Sequence, residues 1–203
     1  MTSSSSPVPF RIAGHLAIDF VNSRATPGGV TVDWLRDGES MMSWFASLSL
    51  FPEAALRELQ RGVTPARRNE VATEARELRE LFRGQLSQPA RLRANPGMWE
   101  TLNEILARGS AFHVLRKDKS APMLEDCERL ERPDQLLVPI AKAIARFIVE
   151  EDLTRVHACE GVGCSLWFLD ETKAGRRRFC RASVCGNRAK VAAFRSRQRK
   201  LLS

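Results

Sequence analysis

The chain has 203 residues, with 32 Lys and Arg against 24 Asp and Glu for a formal net charge of +8. That length suits one medium domain with a small appendage, or two small domains, and it is ample for a hydrophobic core. No apolar run approaches the roughly 20 residues that cross a bilayer, and the opening MTSSSSPVPF lacks the charged-then-apolar order of a secretory signal. A soluble globular protein is therefore expected, with the cytoplasm as its compartment.

Residues 1–9 are rich in Ser and Pro and are expected to be disordered. The first apolar segment, Ile12 to Val21, has no decisive periodicity. A turn at Pro27-Gly28-Gly29 leads into a β-prone stretch, Val30 to Leu35, and then a short apolar segment around Met41, Trp44, Phe45 and Leu48. Pro52 opens a predicted helix over Glu53 to Arg61. Thr64 as cap, with Pro65 next, opens a longer one reaching about Leu86, on which Val71, Ala75, Leu78 and Phe82 share a face. Asn95-Pro96 repeats the signal before a helix carrying Trp99, Leu102, Ile105 and Leu106 and ending near Gly109. Alternation over Ala111 to Arg116 and Met123 to Leu130, around polar Lys117 to Ser120, predicts a hairpin. From about Asp134 to Leu153, Leu137, Ile140, Ile144, Phe147 and Ile148 recur at the helical period. The expected class is α+β, mainly helical. A sensing or interaction domain spans residues 10–153, followed over 154–203 by a small four-cysteine module ending in a basic helix.

Charge and cysteines both concentrate in that last part. Residues 1–169 hold 21 basic and 22 acidic side chains, a net of −1, whereas 170–203 hold 11 and 2, a net of +9. Clustered Lys and Arg bind polyanions by releasing condensed counterions. Four of the five cysteines follow the pattern Cys159-x4-Cys164, fifteen residues, Cys180-x4-Cys185. Two pairs on short loops suit a tetrahedral four-thiolate site for one structural Zn2+, with an iron–sulfur cluster as the chief rival. Gly161, Gly163 and Gly186 offer positive φ angles for the turns around the thiolates. Four thiolates fill the shell and leave no open position for catalysis. The module has few large core residues, Trp167, Phe168, Phe179, Val191 and Phe194, so zinc is expected to supply most of its folding energy. Cys127 lies outside the pattern and reads as a small buried hydrophobe.

From Cys159 onward the chain resembles the CGNR zinc-finger family. It carries the run Cys185-Gly186-Asn187-Arg188 with Ala189-Lys190 after it, preceded by Trp167-Phe168-Leu169-Asp170 and Arg176-Arg177-Arg178-Phe179-Cys180, with Phe where the family usually has Trp. The Gly14 to Ser23 run, with Leu16, Asp19, Phe20 and Asn22, is similar to the start of the ABATE domain that accompanies this finger. The resemblance implies a bacterial, stress-responsive transcription regulator.

Physics assigns the motif roles of its own. Cys185 at a helix start gains from backbone amides and the helix dipole, with Asn187 or a neighbour as cap. On that helix Val191, Phe194 and Leu201 fall on one side. Arg188, Arg195 and Arg199 line an adjacent face, and Lys190 and Arg197 lie at the far edge of the apolar stripe. With Arg176, Arg177 and Arg178 these are the candidate nucleic-acid contacts, DNA being the expected partner and RNA or an acidic protein the alternative. Asp19 and Asn22, with Trp34 and Trp44 downstream, are candidate ligands of a small-molecule effector, although such residues cap helices and turns at least as often. His15, His113 and His157 lack metal or nucleophile spacing, and phosphate-loop, nucleophile-elbow and deaminase motifs are absent, so no catalytic residues are assigned.

Overall fold

The computed structural model describes residues 9, 11, 13–26, 29–117 and 121–201. The N-terminal segment expected to be disordered falls outside that range save for Pro9. So do Ile12, Pro27-Gly28 of the expected turn and residues 118–120 between the hairpin strands.

The ambiguous first apolar segment is a short helix, α1 (Leu16–Val21), opened by the His15 side chain, whose Nδ1 accepts the Ala17 amide at 3.1 Å. Strands β1 (Arg24–Ala25) and β2 (Val32–Asp33) pair antiparallel. The β-prone stretch yields only two strand residues, because Asp33 Oδ1 accepts the Leu35 amide at 2.9 Å and turns the chain there. Four helices follow in pairs: α2 (Gly38–Leu48) and α3 (Glu53–Gly62), then α4 (Pro65–Gln85) and the short α5 (Pro89–Arg93). Thr64 caps α4 as its sequence signal predicts, accepting the Arg67 amide at 3.3 Å. In α6 (Pro96–Leu106), Asn95 caps in the same way, but Met98 takes the core face with Leu102 and Ile105. Trp99, one step around the helix, is 46% exposed.

The hairpin forms as predicted from β3 (Ala111–Lys117) and β4 (Pro122–Glu128), pairing Phe112 with Cys127 and Val114 with Glu125. The stripe beyond it splits into a 3-10 turn, Pro133–Leu137, and α7 (Val138–Glu150). Pro139 has no amide to give the Gln135 carbonyl, so the α-helical ladder cannot start earlier. All five stripe residues are buried.

One apolar cluster joins α1, α2, α4, α6 and α7, with Phe20 against Trp44 and Phe82 edge-on to Phe147 at 5.9 Å. Inside it Arg79 is 1% exposed, its guanidinium on both Asp33 carboxylate oxygens at 2.7 and 2.9 Å and on Glu80 at 2.9 Å. A buried guanidinium is tolerated only with such pairing.

The last third continues from this body. Strands β5 (Val156–Ala158) and β6 (Trp167–Leu169) pair antiparallel, a π-type turn covers Ala182–Gly186, and α8 (Asn187–Leu201) ends the described chain. Val156, Trp167 and Leu169 pack into the body's cluster, while Phe168 and Ala25 belong to a smaller cluster around the cysteines. The alternation of β6 thus serves two cores from its two faces.

Candidate metal centre and basic helix

The metal site starts from two tight turns. In the first, Gly163 has φ +69°, a conformation that glycine adopts without strain, and the Cys164 amide closes the turn on the Gly161 carbonyl at 3.0 Å. Gly161 is required for space instead: a Cβ there would lie 2.9 Å from Cys185 Sγ. Gly186 has no positive φ and sits in the π-type turn, so the expectation of a left-handed angle holds at Gly163 alone of the three.

The turns bring four thiols together. The Sγ atoms of Cys159, Cys164, Cys180 and Cys185 lie within 4.8 Å of one another, with Cys164 to Cys180 at 3.9 Å and Cys180 to Cys185 at 3.7 Å. A tetrahedral zinc with bonds of about 2.3 Å places its sulfurs about 3.8 Å apart, so the donor set fits that ion. Burial pushes the Cys164 thiol up to about 11 and raises that of Cys180 as well. Thiols so held do not ionise together at neutral pH without a cation, which is the role a structural Zn2+ fills. Burial also opposes ionisation of Cys159, but the Cys180 and Gly161 amides, donating to its sulfur at 3.3 and 3.4 Å, outweigh it and lower its pKa. Amides aimed at a metal-site sulfur orient the ligand and stabilise its negative form.

A second layer fixes the loop that carries Cys180. Asp170 is fully buried, its Oδ1 accepting the Thr172 hydroxyl at 2.6 Å and amide at 2.9 Å, and its Oδ2 the Arg177 amide at 2.9 Å. The Thr172 hydroxyl first, then these amides, hold its carboxyl down at about 2. Arg177 then turns inward. Its guanidinium lies 4.3 Å from the centre of the Phe168 ring and donates to the carbonyls of Leu169, Phe179 and Cys180. Arg177, a candidate nucleic-acid contact in the sequence, is half-buried here, with three carbonyls and an aromatic face engaging its guanidinium inside the module. Arg178 is exposed and pairs with Glu160 at 2.5 Å, while Arg176 is exposed in the same loop.

Cys185 lies two residues before α8, so the metal site fixes that helix's start. Asn187 is not an acceptor cap there; its Nδ2 donates to the Ser183 carbonyl at 3.4 Å. Along α8, Arg188, Lys190, Arg195 and Arg197 are exposed, and the helix contains no acidic residue. Val191 and Phe194, expected in the module's core, are 49% and 56% exposed. The core is closed instead by Leu166, Phe168, Phe179 and Ala25. Of the side chains of Arg199 and Leu201 nothing is described.

Comparison with known families agrees with this architecture. Residues 14–151 match the model of the ABATE family, described as "Putative stress-induced transcription regulator". The chain belongs to the ABATE family. Residues 155–198 match the CGNR zinc finger, which follows the ABATE part in the expected order. The four-cysteine cluster is thus the finger's site for one structural zinc, and neither family is an enzyme type. No curated protein matches the chain. Among the described residues, no helix is long and apolar enough to cross a membrane.

The two effector candidates occupy the joint between the ABATE part and the finger. Asn22 is 1% exposed and clasps Trp167, its Nδ2 donating to the Trp167 carbonyl at 2.8 Å and its Oδ1 accepting the Trp167 amide at 2.9 Å. Asp19 is half-buried and accepts the Ala13 amide at 3.2 Å, while Ala13 receives the Leu169 amide on its carbonyl at 3.2 Å. Both therefore hold backbone groups at this joint, the capping-type role that the sequence also allowed. Gly14, with φ +78°, admits Glu171 so closely that a Cβ would meet its Oε2 at 2.7 Å. Sequence reasoning missed Asp170, Arg177 and Asn22 in these roles. Only the family motif pointed at Asp170, and the pairing of Asn22 with Trp167 across 145 residues leaves no local signal.

Proposed function

We propose that this protein is a DNA-binding transcription regulator of the bacterial cytoplasm, acting in a stress response. Residues 10–153 form its sensing body and 154–203 its DNA-binding finger. The observation that carries the reading is α8: a helix free of carboxylates, started by a metal-fixed turn and exposing Arg188, Lys190, Arg195 and Arg197. Such a helix offers a groove-sized rod of positive charge, and Arg176 beside it adds a contact for the phosphate backbone. Arg188, Arg195 and Arg199 are the proposed base readers. Arg178 is a phosphate contact only after release from Glu160. Arg177 is a positioning residue that holds the Cys180 loop. Response to a small-molecule effector belongs to the same proposal and is assigned to the body.

Fluorescence anisotropy with a selected duplex and a scrambled one, over several salt concentrations, tests the reading. Four to six phosphate contacts give a slope of log affinity against log salt of roughly −4 to −5. Arg176→Ala is expected to weaken both duplexes alike and flatten the slope by about one unit. Arg195→Ala is expected to erase the preference between them, since one bidentate base contact discriminates by about 1–3 kcal/mol. Zinc-loaded protein that binds neither duplex at low salt, yet binds structured RNA or polyglutamate, would replace DNA by that partner.

A further inference from the structure

The hairpin β3–β4 does not lie flat on the body. Between its inner face and the helices is a cavity of about 570 Å³, a size typical of small-molecule sites. Its lining is apolar at Leu16, Leu50, Phe51 and Val114 and cationic at Arg116, Lys142 and Arg146. Lys142 and Arg146 stand there one turn apart on α7. Arg116 joins them from β3, paired with Glu125 across the strands, and Glu125 supplies the carboxylate among the described lining residues.

His15 completes the wall. Its Nδ1 accepts the Ala17 amide, which leaves the proton of the neutral ring on Nε2. Burial lowers its pKa, against the opposing pull of Glu151, Glu150 and Glu171, so at neutral pH it is an uncharged donor, its ring tilted 54° to that of Phe147 with centroids 5.0 Å apart. With Arg116 offset by Glu125, Lys142 and Arg146 leave the described lining with an excess of positive charge, and with the N–H of His15 and apolar walls this disfavours cations and strongly hydrated polar solutes. The same lining suits a ligand with a greasy body and one negative head.

We propose that this cavity binds a small apolar organic anion, of the class of medium-chain or aromatic carboxylates. The head lies toward Lys142, Arg146 and His15, and the body runs between Val114, Leu50 and Phe51. The site is a property of the ABATE body alone; only its use as an effector site rests on the regulator reading above. Its position has a physical consequence in either case. His15 and Leu16 open the helix that ends at Asn22, so an occupant touches the element that clasps the finger.

The test uses the zinc-loaded full chain and two kinds of probe. 8-Anilinonaphthalene-1-sulfonate is titrated in and its blue-shifted emission followed, then displaced by decanoate, decanol or decylammonium. Saturable binding of one probe per chain is expected, with decanoate displacing it at concentrations about tenfold below decanol and decylammonium weakest, tenfold being what one favourable surface charge contact contributes. Lys142→Glu with Arg146→Glu changes two exposed side chains, and with circular dichroism and thermal unfolding as for wild type it is expected to weaken probe and decanoate by at least about tenfold. Lys190→Glu with Arg197→Glu removes equal charge from α8 and is expected to leave both within about twofold. Binding without saturation, displacement by all three competitors alike, or equal losses in the two double variants would each overturn the site. None of these outcomes reads DNA binding, so failure here is separable from failure of the regulator reading.

Discussion

The ABATE body and the finger reach order by different physics. In the body, Ile18, Phe20, Phe45, Phe82 and Phe147 are fully removed from water, each contributing by its apolar area, in a cluster that Val156 and Leu169 of the finger also join. In the finger, the cluster around the cysteines holds Ala25, Leu166 and Phe168, with Phe179 at its edge, too little apolar surface to fix the chain that runs from β6 to Cys180. Polar groups take over there. Asp170 gathers two amides and a hydroxyl, Arg177 gathers three carbonyls, and the four sulfurs converge on one point. A module of this kind can stand its last helix in solvent, basic in its first turn and again from Arg195, because the metal rather than packing fixes where the helix begins.

The sharpest way to break the comparison is to remove a sulfur. Cys180→Ser is expected to lose the zinc entirely by metal analysis and with it the finger's order, since structural zinc contributes on the order of 10 kcal/mol to such modules. The circular dichroism of α2, α4, α6 and α7 should persist. Deleting core volume in the body should do the converse. Phe82→Ala is expected to cost about 3–5 kcal/mol in urea unfolding while zinc stays at one per chain. The joint between the parts responds to a smaller change. Asn22→Ala leaves the Trp167 amide and carbonyl without partners at a cost of about 1–3 kcal/mol. It should separate a single thermal transition into two, and a transition that stays single would show that the joint does not rest on Asn22.

A further effect is one of pH, and it belongs to the body. Burial works against ionisation of Asp33, but hydrogen bonds from Arg79 and the Leu35 amide outweigh it, so its folded pKa lies below the unfolded value of about 3.9. Its contribution is therefore fully present above that value and disappears as pH falls through it toward the folded one. The stability gap between wild type and Asp33→Asn should be constant from pH 7 to about 5 and close below about 4. A gap that persists unchanged in acid would assign the destabilisation to packing instead.

What the sequence disclosed follows the same division. Thr64-Pro65, Asn95-Pro96, the α7 stripe and the hairpin were legible because caps, prolines and periodicity act within a few residues. The cysteine spacing was legible because metal chemistry demands thiols on short turns. Pairings across distance were not. Asn22 looked like an effector residue because nothing local says that Trp167, 145 residues on, needs both its backbone groups satisfied. Arg177 looked like its exposed neighbours because only the folded loop brings Phe168 and three carbonyls around it. Val191 and Phe194 looked like core because a sequence cannot tell which apolar stripe finds a partner.

Native-state hydrogen exchange on zinc-loaded and chelator-stripped protein tests most directly that metal holds the finger and burial holds the body. Stripping is expected to abolish protection over residues 156–186 and at the start of α8, and to leave the amides of α4 and α7 protected within about tenfold. Retained protection around Cys159 and Cys180 in the stripped protein, or collapse of α4 and α7 along with the finger, would contradict the account.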